Sequence, residues 1–134
     1  MKNAHIIIIA ILIAITSACK SKNTNEKQDT GNFGRFKFKE DAYDFGVIKN
    51  GDTATHVFKF INIGKTPLII KDISTGCGCT VAKWTKKPVL PKDSGSVTVM
   101  FSKRHDPGMH SKLVIITANT SYPYTVLKIF ATIK

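Results

Sequence analysis

The feature that most constrains the fold is a period-two alternation of apolar and polar residues, in short runs that begin at Phe36. Alternation of this kind is typical of half-buried strands, and no window longer than a turn shows the helical period. Turn residues such as Asn50-Gly51 and Asp106-Pro107-Gly108 separate the runs. The predicted strands cover residues 36–39, 44–48, 55–61, 68–73, 97–101, 113–116 and 126–133.

These runs predict an all-β fold, an immunoglobulin-like β-sandwich of about seven strands over residues 35–134. The chain has 134 residues and 43% hydrophobic residues, values that fit one globular domain and exclude a disordered chain. Asn62, in Asn62-Ile63-Gly64, is expected to hydrogen-bond the backbone of its own turn. The phenylalanines expected in the core are Phe36, Phe45, Phe58, Phe60 and Phe101.

The N-terminal segment has the layout of a secretory signal. Lys2 supplies a positive charge, and the apolar run from Ile6 to Ile15 is too short to span a bilayer as a helix. The small residues Thr16-Ser17-Ala18 then precede Cys19, and this string resembles the lipobox of bacterial lipoproteins. The resemblance implies cleavage before Cys19 and acylation of its thiol, with a signal peptide over residues 1–18. One departure is Thr16, where lipoproteins prefer Leu, and the alternative is a plain secretion signal.

Residues 19–34 are predicted to be the lipidated cysteine and a flexible linker. Residues 20–32 contain no aliphatic or aromatic side chain, so they bury too little apolar surface to offset the entropy of ordering. The chain is therefore expected to be anchored in a membrane through Cys19. Surface-exported lipoproteins often carry an acidic cluster after this cysteine, and Lys20-Ser21-Lys22 does not resemble one. The resemblance to lipoproteins therefore implies the periplasmic face of the outer membrane, with the cell surface as the alternative.

The domain resembles a bacterial family of unknown function, DUF1573, which is common in lipoproteins of the Bacteroidota. The resemblance is carried by Asn62-x-Gly64-x-x-Pro67-Leu68 and by Cys77-Gly78-Cys79-Thr80, within a match from Asp44 to Lys134. It implies a fold related to Hydin-like and PapD-like immunoglobulin-like domains. It implies no activity, because the family has no established biochemical function and a fold alone does not supply one.

Cys77 and Cys79 are the only candidates for chemistry, and three interpretations stay open. The first is a local disulfide or a buried thiol pair, since flanking glycines permit the close approach that a disulfide requires. The second is a thiol–disulfide redox site, although no helix is predicted that would stabilise a thiolate. The third is a copper or zinc site, in which two thiolates would be joined by further ligands from His105, Met109 and His110.

The sequence predicts a non-enzymatic module with no cofactor. It contains no Gly-x-Ser-x-Gly, no glycine-rich phosphate loop and no His-Glu-x-x-His. The formal net charge is +11, yet nucleic acid is not expected as a partner for an exported domain. We expect protein–protein or envelope contacts with an envelope protein as partner. The alternative is a periplasmic copper- or zinc-binding or thiol-redox lipoprotein that uses Cys77 and Cys79.

Overall fold

The structure, a computed structural model, describes residues 31–75, 80–101 and 106–134. It contains eight strands: β1 (Phe36–Phe38), β2 (Ala42–Ile48), β3 (Ala54–Asn62), β4 (Ile70–Thr75), β5 (Thr80–Trp84), β6 (Ser94–Phe101), β7 (Gly108–Ala118) and β8 (Thr125–Ile133). The all-β prediction is confirmed, and β5 is the strand that the sequence did not reveal. Among the described residues, no helix is long and apolar enough to cross a membrane.

The strands form two four-stranded sheets that pack as a sandwich. The first sheet has the order β1-β3-β6-β5, and the second has the order β2-β8-β7-β4. All pairs are antiparallel except β2 with β8, which is parallel. The chain leaves the first sheet after β1 and enters the second sheet as β2, which runs beside the last strand, β8, in the same direction.

Inward-facing side chains of both sheets form one hydrophobic core. Phe58, Phe60 and Phe101 from the first sheet are buried, as are Ile116 and Leu127 from the second. Phe36 and Phe45, which we also expected in the core, are half-buried at its margin. The alternation along β3 and β6 fixes this arrangement, because residues of one parity share one face of a strand. The outward parity of the same strands therefore forms the exposed face of the first sheet.

Asn62 is the buried polar side chain at the end of β3, and it has no exposed surface. Its Nδ2 donates to the carbonyl oxygens of Thr66 at 2.8 Å and Val89 at 2.9 Å. Its Oδ1 accepts from the amides of Gly64 at 2.9 Å and Arg35 at 3.2 Å. The predicted turn is thus confirmed, and the same amide also holds the chain at the entry to β1.

Close packing against the domain begins before β1. Gly34 is buried, and a Cβ at this position would lie 2.8 Å from Cδ1 of Leu68. The amide of Lys65 donates to the carbonyl oxygen of Phe33 at 3.2 Å. The predicted signal peptide over residues 1–18, and the predicted linker as far as residue 30, lie outside the described residues.

Candidate functional site

Four of the side chains singled out in the sequence lie outside the described residues: Cys19, Cys77, Cys79 and His105. Met109 and His110 are described. Met109 is 82% exposed, and the adjacent His110 is half-buried with its Nε2–H donating to the carbonyl oxygen of Asp106 at 2.7 Å. Neighbouring residues in a strand point to opposite faces, so these two side chains diverge. Within the parts of the chain that the structure describes, no three His, Cys, Asp or Glu residues are grouped as metal ligands.

The sequence left open whether the segment before Met109 lies near the Cys77–Cys79 segment, and the strand pairing bears on this question. Thr80, which follows Cys79, pairs with Phe101, which precedes residues 102–105. Thr75, which precedes residues 76–79, pairs with Val114 of β7. The start of β5 after Cys79 and the end of β6 before residues 102–105 are therefore neighbours, whereas the end of β4 lies beside the middle of β7.

The backbone edge of β3 is a feature that the sequence did not reveal. Odd-numbered residues of this strand direct their backbone groups toward β1. The amide of Ile63 donates to the carbonyl oxygen of Arg35 at 2.9 Å, and the carbonyl oxygen of Lys59 accepts from Lys39 at 3.1 Å. Even-numbered residues face β6, since the amide of Asn62 donates to Asp93 at 2.9 Å. This alternation is the antiparallel pattern for a strand with neighbours on both sides.

Beyond Lys59 this edge loses its neighbour. The carbonyl oxygen of Asp41, two residues after Lys39, already accepts from the amide of Lys128 in the second sheet at 2.8 Å. The chain thus crosses between sheets at the point where it would have paired with Val57. The amide and carbonyl groups of Val57 and Thr55 face this side, and no described strand pairs with them. We call the stretch from Thr55 to Val57 the open edge.

The remaining sheet edges differ from the open edge. β2 carries a bulge between Asp44 and Val47, where Gly46 has a φ of 68° and donates its amide to Oδ1 of Asp44 at 2.8 Å. β4 carries a bulge between Ile70 and Asp72. Bulges of this kind twist an edge away from a regular partner. The side of β5 away from β6 and the side of β1 away from β3 also have no partner among the described strands, so these are the competing candidates.

A groove on the exposed face of the first sheet lies beside the open edge. Its volume is about 720 Å³, within the range of ligand sites. Three lysines, Lys37, Lys39 and Lys59, contribute to its lining, and no carboxylate does. We call it the lysine groove; its full lining is Lys37, Phe38, Lys39, Lys59, Phe60, Ile61, Thr85, Ser94, Gly95 and Ser96.

The carboxylate nearest in sequence to these lysines is that of Glu40, and it lies within hydrogen-bond distance of a histidine that faces the interior of the sandwich. Glu40 Oε1 lies 3.0 Å from Nε2 of His56. The imidazole of His56 stacks on Tyr43 with ring centroids 3.5 Å apart, and its edge packs against Phe58. His56 has the inward parity of β3, whereas Lys39 and Lys59 have the outward parity. The Glu40 carboxylate is therefore tied to a different face from that of the lysine groove.

Two other surface features are less specific. A depression of about 490 Å³ is lined by both signs of charge, with Arg35 and Lys39 opposed by Glu40 and Asp41. The indole of Trp84 carries Lys86 Nζ at 3.2 Å from its ring centroid. Lysine thus already occupies one face of this ring through a cation–π contact.

Comparison with known proteins places the domain in a family and supports the fold. A family model described as "Protein of unknown function (DUF1573)" matches residues 36–133. No curated protein sequence matches the chain at a significant level.

Solved structures show the same architecture at low sequence identity. A protein of unknown function from Porphyromonas gingivalis aligns with a TM-score of 0.65 and 17% identity, over 81% of this chain and 51% of that protein. This chain therefore spans about half the length of that relative. The seventh PapD-like domain of human CEP192 gives a TM-score of 0.65 with 8% identity, over 87% of this chain and 97% of that domain. The secreted serine protease VesC of Vibrio cholerae gives 0.54 with 14% identity, over 78% of this chain and 24% of the protease. At these identities the likeness is one of fold alone.

Proposed function

This chain belongs to the DUF1573 family, and on that premise we propose that it is a non-enzymatic module that binds a partner protein by adding a strand to the open edge. The family supplies no activity, so the proposal rests on the geometry of β3. Strand addition uses backbone hydrogen bonds for affinity and alternate side chains for specificity. A sandwich of two open sheets, the architecture that this chain shares with PapD-like domains, leaves edge strands that a partner can pair with.

A single observation carries the proposal. The backbone groups of Val57 and Thr55 point out of the sheet, in register with a β1 strand that ends too early to reach them. The side chain of Val57 is 41% exposed, so nothing in the described chain covers the edge from the outer face. An added strand of about five residues would extend the line of β1 and complete the first sheet.

We further propose that the module works at the cell envelope, anchored in a membrane through acylated Cys19. The lipobox-like string before Cys19 and the absence of aliphatic and aromatic residues from 20–32 support this placement. The partner would then be an envelope protein rather than a nucleic acid. The periplasmic face of the outer membrane is the favoured location and the cell surface is the alternative.

Photo-crosslinking from the edge tests strand addition. Benzoylphenylalanine is placed at Thr55 and, as a control, at Thr117, an exposed residue of β7, which has partner strands on both sides. In cells that make the protein, we expect a discrete protein adduct from position 55 and none from position 117. The decisive comparison is between Val57→Pro, which removes the edge amide, and Val57→Ala, which keeps it.

We expect Val57→Pro to abolish the adduct and Val57→Ala to preserve it. Proline is tolerated in an edge strand where its missing amide faces away from the sheet, so both variants should fold. Circular dichroism and a thermal unfolding curve check this. An adduct that survives Val57→Pro in a folded protein would exclude strand addition at β3. An adduct that forms instead from benzoylphenylalanine placed at Lys83 would assign the binding to β5.

The second candidate function is copper or zinc binding, or thiol redox chemistry, at Cys77 and Cys79. The pairing of Thr80 with Phe101 supports keeping it, because the start of β5, which follows Cys79, lies next to the end of β6, which precedes the segment that contains His105. A Cys77→Ser/Cys79→Ser variant separates the two candidates. Strand addition predicts that the crosslink from Thr55 persists, whereas a metal or redox role predicts a folded protein without metal uptake or thiol exchange.

A further inference from the structure

We infer that the segment captured at the open edge is acidic, with Asp or Glu side chains that project toward the lysine groove. This inference rests on the proposed strand addition and specifies the chemistry of the partner. Its premise is that the register of β3 determines which face of the sheet each partner side chain reaches.

The register places alternate partner residues on the exposed face of the first sheet. Directly opposed residues in a sheet project their side chains to the same face. Val57 and Thr55 belong to the exposed parity of β3, as do Lys59 and Ile61. Partner residues opposite Val57 and Thr55 must therefore also point outward. The partner residue opposite Thr55 lies one same-face position farther from the lysine groove, and the one opposite Val57 lies directly beside it.

Two lysines stand closest to that position. Lys39 donates its backbone amide to Lys59 at 3.1 Å, which makes these residues the last pair before the open edge. Both side chains are exposed, and both line the lysine groove. A residue opposite Val57 would follow Lys39 in the line of β1 and would lie diagonally from Lys59. Diagonal neighbours on one sheet face are close enough for long side chains to interact.

The charge on this face is unbalanced. In β1, β3 and β6 the outward-facing residues include Lys37 and Lys59 but no Asp or Glu. Glu40 pairs with His56, and Glu40 and Asp41 line the neighbouring depression, so the carboxylates nearest in sequence to these lysines lie outside the groove. Opposite charges across an interface favour association and exclude partners of the same sign. An acidic strand would supply counterions to the lysines on this face, whereas a basic or apolar strand would not.

The backbone edge favours an extended peptide over a lipid headgroup. Lysine ammonium groups attract carboxylates and phosphates alike, so the three lysines of the groove require only that the occupant is anionic. The groove continues directly from an unpaired backbone edge, which an extended peptide can use and a headgroup cannot. The charge and the edge together identify an extended acidic peptide as the occupant.

The test measures how the position-55 adduct depends on the lysines. Lys39→Gln/Lys59→Gln removes both charges, Lys39→Arg/Lys59→Arg keeps them, and Lys71→Gln/Lys128→Gln removes two exposed charges from the second sheet. We expect the first variant to lower the adduct yield by about fivefold, equivalent to roughly 1 kcal/mol, and the other two to leave it unchanged. Mass spectrometry of the adduct should show Asp or Glu within four residues of the crosslinked position.

The outcomes distinguish a failure of the acidic-partner inference from a failure of the proposed strand addition. If Val57→Pro abolishes the adduct but Lys39→Gln/Lys59→Gln does not lower it, strand addition stands and the acidic partner is wrong. A crosslinked peptide without Asp or Glu leads to the same conclusion. An adduct with the mass of a lipid overturns both. A yield that falls equally in the variant of Lys71 and Lys128 shows a general charge effect and also overturns the inference.

Discussion

The strongest quantitative prediction concerns Asn62, because one buried side chain makes all of its hydrogen bonds to backbone groups. Asn62→Ala removes four bonds at 2.8, 2.9, 2.9 and 3.2 Å. A buried hydrogen bond contributes about 1 kcal/mol net, and an unpaired buried group costs about 1–3 kcal/mol. Part of this loss is recovered. The carbonyl oxygen of Val89 still accepts the amide of Leu68 at 2.8 Å, and Thr66 is exposed enough for water. We therefore expect a loss of about 3 kcal/mol in the free energy of unfolding.

Asn62→Asp sharpens the test, since it keeps the two acceptor bonds and reverses the two donor bonds. At neutral pH the new carboxylate would face the carbonyl oxygens of Thr66 and Val89, which the amide nitrogen now contacts. Repulsion and burial would raise the pKa of the introduced group above that of an unfolded Asp. The destabilisation is then largest above that raised pKa and shrinks as the pH falls through it, because protonation restores one donor.

Denaturant unfolding of the purified protein and both variants, followed by circular dichroism between pH 4 and pH 7, measures these differences. Asn62→Asp should be less stable than Asn62→Ala at pH 7 and should recover part of the difference toward pH 4. A loss below about 1 kcal/mol for Asn62→Ala, or an Asn62→Asp variant whose stability is independent of pH, would refute the reasoning about this amide.

Three further predictions concern the core, the anchor and the cysteines. Gly95→Ala places a Cβ about 2.3 Å from Cζ of Phe60, so overpacking should lower the midpoint of thermal unfolding and the stability by about 1–3 kcal/mol. Cys19→Ala should leave the precursor unprocessed and without acyl groups on gels and in mass spectra; normal maturation would end the lipoprotein proposal. Protein purified from an oxidising compartment should be two hydrogens lighter than its reduced form and bind no Cu(I) or Zn(II) if Cys77 and Cys79 are joined. Two free thiols with one tightly held metal would favour the metal alternative.

The local sequence pattern was sufficient to predict most of the fold but not the candidate site. Alternation along residues 55–61 and 97–101 predicted β3, β6 and the inward faces of both, because a strand pattern is a property of consecutive residues. β5 was missed because it has only five residues and follows a glycine-rich segment. Two aromatic residues at the core margin, Phe36 and Phe45, were correctly predicted to face inward, but they are less buried than predicted.

The open edge could not be found from the sequence because it depends on where one strand leaves its sheet. Residues 36–39 and 44–48 both show strand pattern, and nothing local to them says that they belong to different sheets. The crossing at residues 40–41 is fixed by distant partners, Lys59 before it and Lys128 after it. A backbone group left without a partner is the result of such long-range pairing, so only the register reveals it.

An open edge must be protected as well as available, and the same lysines account for both. Unpaired strand edges promote pairing between copies of a chain, and charged side chains, especially lysine, are a common defence. If two copies paired antiparallel through this edge, the outward-facing residue set beside Lys39 and Lys59 would be an uncharged Thr55 or Val57 of the second copy. A second copy thus offers these lysines no counterion, whereas an acidic strand meets attraction at the same position. The lysine groove therefore selects a different chain over a second copy of this one, which is the discrimination that a binding module with an exposed edge requires.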